Sequence, residues 1–138
     1  MYGEFRHNMD QKGRVTVPLK FRDDLGDKFY VCKGLDKCLF LYSESEWQKL
    51  VDKIASLPVA QARGVQRFMF AGAADIECDK QGRILLPQNL RDYAGLSKDV
   101  TVIGSGKRAE IWDSAAWDEY IEAQTQEGLI EAMGALEI

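Results

Sequence analysis

One histidine, three cysteines and three prolines in 138 residues leave several chemistries without material. A lone His7 cannot supply the imidazole pairs of His-based zinc sites, and no Ser–His–Asp or Cys–His set recurs in both halves of the chain. Cys32, Cys38 and Cys78 are odd in number and lack C-x-x-C spacing, so they read as reduced, buried thiols of a cytosolic protein. No apolar run approaches the ~20 residues of a membrane span. The N-terminus, charged within its first residues, does not read as a signal peptide. Gly104-Ser105-Gly106-Lys107-Arg108 has the flavour of a phosphate loop, but Thr101 stands where the first glycine is needed and Arg108 where Ser or Thr would hold magnesium. It reads as a hairpin turn. The expectation is a protein that is not an enzyme, with no catalytic residues, no metal, no cofactor, no small-molecule substrate and no membrane.

Positive charge is missing from the end of the chain. After Arg108 there is no Lys or Arg, while eight Asp and Glu follow. Residues 1–69 carry twelve Lys/Arg against nine Asp/Glu, and residues 70–138 carry six against thirteen, so the net charge of −4 conceals a basic half and an acidic one. Such asymmetry suits a basic working face with an acidic region elsewhere. At 46% hydrophobic there is ample apolar material for one compact domain or two very small ones.

What is present is a repeat. Asp10–Gly26, DQKGRVTVPLKFRDDLG, returns 69 residues later as Asp79–Gly95, DKQGRILLPQNLRDYAG. Asp10 falls on Asp79, Gly13 on Gly82, Arg14 on Arg83, Pro18 on Pro87 and Arg22 on Arg91. Repetition of this kind governs the fold. In each copy the Asp accepts backbone N–H bonds and the Gly takes positive φ to make a turn. A short strand follows (VTV, ILL), then Pro at the first helical position and a short helix ending at Gly26 or Gly95. One copy cannot bury a face alone, but two can bury theirs against each other.

Tyr2–Met9 reads as a strand with Phe5, His7 and Met9 on one side, and Ala71–Cys78 as its counterpart. Lys28–Lys33 and Lys37–Tyr42 read as strands joined by the loop Gly34-Leu35-Asp36, with Gly34 available for positive φ. Ser43 and Glu46 have capping-box spacing ahead of a helix with Trp47, Leu50, Val51 and Ile54 as its stripe. Shifted by one inserted residue, the same hairpin returns at Asp99–Ile103 and Lys107–Trp112, and the helix at Ser114–Ala123, with Trp117 on Trp47. Both tryptophans are expected as core anchors. Residues 56–70 read as a helical connector with Arg63 and Arg67 outward, and Gln124–Ile138 as a last helix. The organisation is thus a first repeat at 1–55, the connector at 56–70, a second repeat at 71–125 and a C-terminal helix at 126–138.

The paired DxxGR…P…R motif, with GEFRHNMD before the first copy and GRILLP in the second, resembles the MraZ family of bacterial transcriptional regulators and, more broadly, the swapped-hairpin, AbrB-like DNA-binding class. The resemblance implies an α+β fold, a duplicated swapped-hairpin β-barrel unit with short helices packed outside. It also implies a ring-shaped homo-oligomer, an octamer or similar. Its partner would be double-stranded DNA at promoter direct repeats of the division and cell-wall gene cluster, bound as a repressor. The location would be cytoplasmic and nucleoid-associated. DNA contact falls to Lys12, Arg14, Lys80 and Arg83, and loop shaping to Asp10, Gly13, Asp79 and Gly82. In the second copy Gln81 stands at the position of Lys12, with Lys80 beside it.

An arginine can clamp phosphate or reach guanine bidentately, and a glycine beside it lets backbone approach the duplex. The competing reading of Arg14 and Arg83 is an ion pair with the Asp four residues earlier that locks the turn; both roles are compatible. Arg22 and Arg91 read as solvated or intrachain-paired. Two further functions compete with the regulator: an antitoxin-type protein of the same class, and a ring-forming interaction module without a DNA target.

Overall fold

The computed structural model describes residues 1–137. Strand β1 (Glu4–Asn8) alternates as its sequence predicts, with Phe5 and His7 half-buried and Glu4, Arg6 and Asn8 exposed. Strand β2 (Arg14–Thr16) buries its central Val15 completely. Pro18 then caps helix α1 (Leu19–Leu25) from outside, with ψ at 139°, one position earlier than the sequence suggested. Pro58 and Pro87 hold the same extended conformation ahead of α3 (Val59–Met69) and α4 (Gln88–Tyr93). A proline ring fixes φ but leaves ψ free, so it serves as well just before the helix as just inside it.

Strands β3 (Lys28–Lys33) and β4 (Leu39–Ser43) flank a 3-10 turn, Leu35–Lys37. Its left-handed residues are Asp36 (φ 62°) and Lys37 (φ 58°), whereas Gly34 is extended, so the expected glycine-centred loop is corrected. Gly34 answers a different need: a Cβ there would stand 2.5 Å from the Phe40 ring. Ser43 Oγ accepts from the Glu46 N–H at 3.3 Å and starts α2 (Glu44–Ala55). The second half supplies β5 (Ala74–Glu77), β6 (Arg83–Leu85), β7 (Asp99–Gly104), β8 (Ala109–Asp113) and α5 (Ser114–Ala123). Ser105 N–H bonds the Arg108 carbonyl at 2.8 Å, so the glycine-rich segment is a hairpin turn. The expected last helix starts two residues later than Gln124: Thr125 is extended and caps α6 (Gln126–Met133), which runs into a 3-10 turn at Gly134–Leu136. Ile138 lies outside the described residues.

The β structure is antiparallel and comprises two hydrogen-bonded sheets. One has six strands in the order β1-β7-β8-β4-β3-β5; the other is the ribbon β2-β6. Strands of the two halves interleave. β1 pairs with β7 (Phe5 opposite Val102), β5 with β3 (Ile76 opposite Phe29) and β4 with β8. His7 stands opposite Val100 just as Ile76 stands opposite Phe29, so Phe29 corresponds to Val100 and the halves here are offset by 71 residues. At β4 and β8, where Phe40 faces Glu110, the offset is 70. Two residues are therefore inserted before β7 and one is lost from the following turn, where the sequence alone suggested a single insertion.

Alternation along these strands builds a core on each face of the large sheet. Phe29, Val31, Leu39, Leu41, Val100, Val102 and Ile111 point to one side and meet Val15, Val17, Ile84 and Leu86 of the ribbon with Phe21, Leu25 and Leu90 of α1 and α4. Cys32, Cys38, Phe40, Tyr42 and Trp112 point to the other, under half-buried Trp47 and Trp117. Trp47 stacks on Tyr30 with centroids 5.0 Å apart, and Trp117 Nε1 donates to Glu4 Oε1 at 2.9 Å. Among the described residues no helix is long and apolar enough to cross a membrane.

All three thiols are free, and Cys32 and Cys38 are buried. Cys78 is only half-buried, a correction to the expected interior position that follows from its place past the end of β5. Burial pushes the Cys32 thiol up to about 12 and raises Cys38 and, less deeply buried, Cys78 as well. Alkylation with iodoacetamide at neutral pH should therefore modify Cys78 slowly and leave Cys32 and Cys38 intact until denaturant is added, as read by mass spectrometry of the peptides. Early labelling of Cys32 would contradict this core.

Candidate nucleic-acid interface

The two repeated loops have one hydrogen-bond design. In the first, Asp10 Oδ1 accepts from the backbone N–H groups of Lys12 (3.0 Å) and Arg14 (2.9 Å), while Oδ2 accepts from Arg14 Nε at 2.6 Å. In the second, Asp79 Oδ1 accepts from Gln81 (2.9 Å) and Arg83 (2.9 Å), and Oδ2 from Arg83 Nε at 3.0 Å. Gly13 N–H returns to the Asp10 carbonyl and Gly82 N–H to that of Asp79, each at 3.0 Å, with φ of 89° and 76°. The backbone donors, Arg14 foremost, hold the Asp10 carboxyl below the usual carboxylate range, and those of Arg83 do the same for Asp79.

The Asp–Arg pair expected from the spacing is thus present in both copies. Each pair engages only Nε, and among the described residues the terminal nitrogens of Arg14 and Arg83 make no hydrogen bond. Both side chains keep about a third of their surface exposed, 31% and 28%.

Ribbon pairing brings the loops together. Arg14 lies opposite Leu85 and Thr16 opposite Arg83, with Val15 facing Ile84 between them. Side chains alternate along a strand, so burial of Val15 and Ile84 turns Arg14, Thr16, Arg83 and Leu85 to the opposite, outer face. The Arg83 guanidinium reaches to 3.8 Å from Asp10 Oδ2, which links the two loops directly. Lys12 and Lys80 are exposed on their tips, but Lys80 does not take the position of Lys12: Gln81 supplies the equivalent backbone N–H.

Of the two alternatives open for Arg22 and Arg91, solvated or intrachain-paired, the structure favours the second: both are half-buried, and each crosses to the loop of the other copy. A Cβ on Gly82 would meet the Arg22 guanidinium at 2.3 Å, and one on Gly13 the Arg91 guanidinium at 2.6 Å. Arg22 Nε also donates to the Val17 carbonyl at 2.9 Å, while Arg91 Nε is buried without a partner among the described residues. The recurrence of R at the same offset in both copies was the available signal; its direction across the ribbon was not.

Fold and site together define an α+β protein in which two copies of one motif present paired Asp–Arg loops on a shared outer face. Comparison with known proteins gives the family. The model of the family described as "MraZ protein, putative antitoxin-like" matches residues 1–68 and again residues 69–135. The chain is 53% identical over 141 residues to the transcriptional regulator MraZ of Acetivibrio thermocellus, covering 99% of both chains. It is 50% identical over 137 residues to that of Halothermothrix orenii, covering 98% of this chain and 95% of the relative. With the Desulforamulus reducens protein of the same name it shares 55% over 120 residues, covering 86% and 84%. The chain belongs to the MraZ family.

Because the folded-state values of Asp10 and Asp79 are lowered, their contribution is complete above the ordinary value of about 3.9 and is lost as pH falls through the lowered one. A carboxyl NMR titration should show both midpoints below that of a free aspartate; ordinary midpoints would contradict the loop geometry. Separately, Gly13→Ala and Gly82→Ala each add strain at positive φ and a clash with guanidinium, and should cost about 1–3 kcal/mol in urea unfolding.

Proposed function

We propose that the paired loops are the DNA-reading surface of a transcriptional regulator, and that the chain represses the promoter of the bacterial division and cell-wall gene cluster by binding short direct repeats as a ring-shaped oligomer. The observation that carries the reading is the common outer face of Arg14 and Arg83. Lys12 and Lys80 neutralise phosphates beside them, while Asp10, Asp79, Gly13 and Gly82 shape the loops and leave the guanidinium edges open. The names of the relatives support regulation of transcription. In this reading the ribbon and sheet form the swapped-hairpin, AbrB-like unit, with repeats at 1–55 and 71–125, the connector at 56–70 and the C-terminal segment at 126–138. The protein works in the cytoplasm on the nucleoid.

One protomer offers few cations to the duplex, so affinity comes from several protomers engaging successive repeats at once. Linkage of that kind raises apparent affinity by ~10²–10⁴. The antitoxin-type reading, favoured by the antitoxin-like character of the family, additionally requires a toxin held in stoichiometric complex; native mass spectrometry of protein from its source cells would reveal one.

Fluorescence anisotropy on the chain's own upstream duplex tests the proposal. A bidentate arginine contact contributes about 1–3 kcal/mol of discrimination, so Arg14→Ala/Arg83→Ala should bind at least about 30-fold more weakly with its oligomeric mass unchanged. Affinity should also fall by about 0.9 log units per neutralised phosphate for each log unit of salt. Operator affinity retained by the double variant would dismiss the assignment of these loops.

A further inference from the structure

Every residue from Asp118 to Glu137 is exposed. Helix α6 nevertheless carries an apolar stripe: Leu129, Ile130 and Met133 are 39%, 62% and 43% exposed, and Leu136 follows at 63%. The contrast with the first half is instructive. There the helix that follows the Trp-bearing one, α3, lies against α2 and β3 and buries Ala62. In the second half the stripe is formed but uncovered.

A receptor for such a stripe exists elsewhere on the same sheet face, where Phe40 and Tyr42 belong to the core cluster that also holds Trp117 of α5. Between α2, α3 and the β3–β4 turn lies an apolar cavity of about 470 Å³, lined by Leu35, Phe40, Tyr42, Leu50, Val65 and Phe68 among others. Leu35 at its mouth is 68% exposed. Tyr42 and Leu50 also line an adjoining cavity of about 440 Å³ whose wall carries Lys49, Lys53, Lys107 and Arg108 with Glu46; Lys49 is paired with Glu46 and Arg108 with Glu110. Apolar groove and basic flank are thus continuous. The C-terminal arm has the matching composition, with Glu127, Glu131 and Glu137 and no Lys or Arg. On the helix, Glu127 and Glu131 are four residues apart and flank the stripe on one side.

We propose that the arm, residues 124–137, of one copy docks in this groove of the next copy, with Leu129, Ile130 and Met133 in the apolar cavity and the glutamates against the lysine-rich flank. Groove and arm are different patches of one surface, so the contact is head-to-tail, which closes into a ring when the rotation per subunit permits. The inference rests on the ring-oligomer reading above and names the surface that makes it. The arm leaves from α5, on the opposite side of the molecule from the outer face of the ribbon, so ring closure leaves the paired loops free.

Cysteine pairing tests it. In a Cys78→Ser background, Leu35→Cys and Ile130→Cys chains are co-expressed, oxidised and run without reductant, with light scattering in parallel. Co-expressed chains should give disulfide-linked dimers that neither variant forms alone, and a chain carrying both changes should give a ladder of linked multimers. Ile130→Glu/Met133→Glu alters only exposed side chains, so it should keep its thermal unfolding while its mass falls to the 15.6 kDa of one chain. Absent cross-links with a full-sized oligomer would overturn this contact and leave the ring standing on other surfaces. Linkage only within single chains would place the arm on its own groove and overturn it as well. A wild-type mass of one chain at every concentration would overturn both the contact and the ring.

Discussion

The pairing of β2 with β6 is the constraint on which the site depends. Val15 lies opposite Ile84, its own counterpart in the repeat, and Phe40 lies opposite Glu110, again counterparts. A strand that pairs antiparallel with its own copy at such a point generates local two-fold symmetry there. Everything attached to one copy is then reproduced by the other. Arg14 and Arg83 share a face because burial of Val15 and Ile84 beneath the ribbon leaves them no other. The ribbon backbone continues past the strand ends, with Val17 N–H on the Gly82 carbonyl and Leu86 N–H on that of Gly13. The glycines are thereby part of the same ladder as the residues they serve.

Electrostatics at the loops orients more than it stabilises. A solvent-screened Asp–Arg pair of this kind contributes little to stability. Its geometric effect is larger. Two backbone N–H groups and one Nε converge on each carboxylate, which restricts the arginine while its terminal nitrogens make no hydrogen bond among the described residues. Arg22 and Arg91 add a second layer by lying over the opposite glycines. Two motif copies are therefore required for either loop to be complete.

A further departure from symmetry lies on the face away from the loops. Phe40 in the first half is answered by Glu110 in the second, which is buried and accepts from Arg108 (3.0 Å) and from Trp112 Nε1 (3.0 Å). Arg108 in turn sits 3.8 Å over the Phe40 ring. An unpaired carboxylate at that depth would be costly, and these neighbours satisfy it. The connector helix covers the first half, while the acidic arm of the second stands clear, so the two halves share a core yet present different outer surfaces.

Much of this was legible in the residues. Asp, Gly and Arg at matched spacing prescribe a turn, because a short carboxylate and a positive φ leave few other closures, and alternation of apolar residues prescribes strands. Local chemistry also placed the capping Ser43 and the break at Pro58. Pairing partners were another matter: three-residue strands such as RVT and RIL carry no register of their own, so β1 with β7 and β5 with β3 emerge only when the whole apolar surface is buried together. The direction of Arg22 and Arg91, and the small offsets between the halves, belong to that same collective packing. Sequence by itself therefore determined the loops and their duplication, since those follow from contacts within a few residues. Tertiary structure alone decided that the two loops face the same way, since that depends on which side of a ribbon is turned toward a core built by the entire chain.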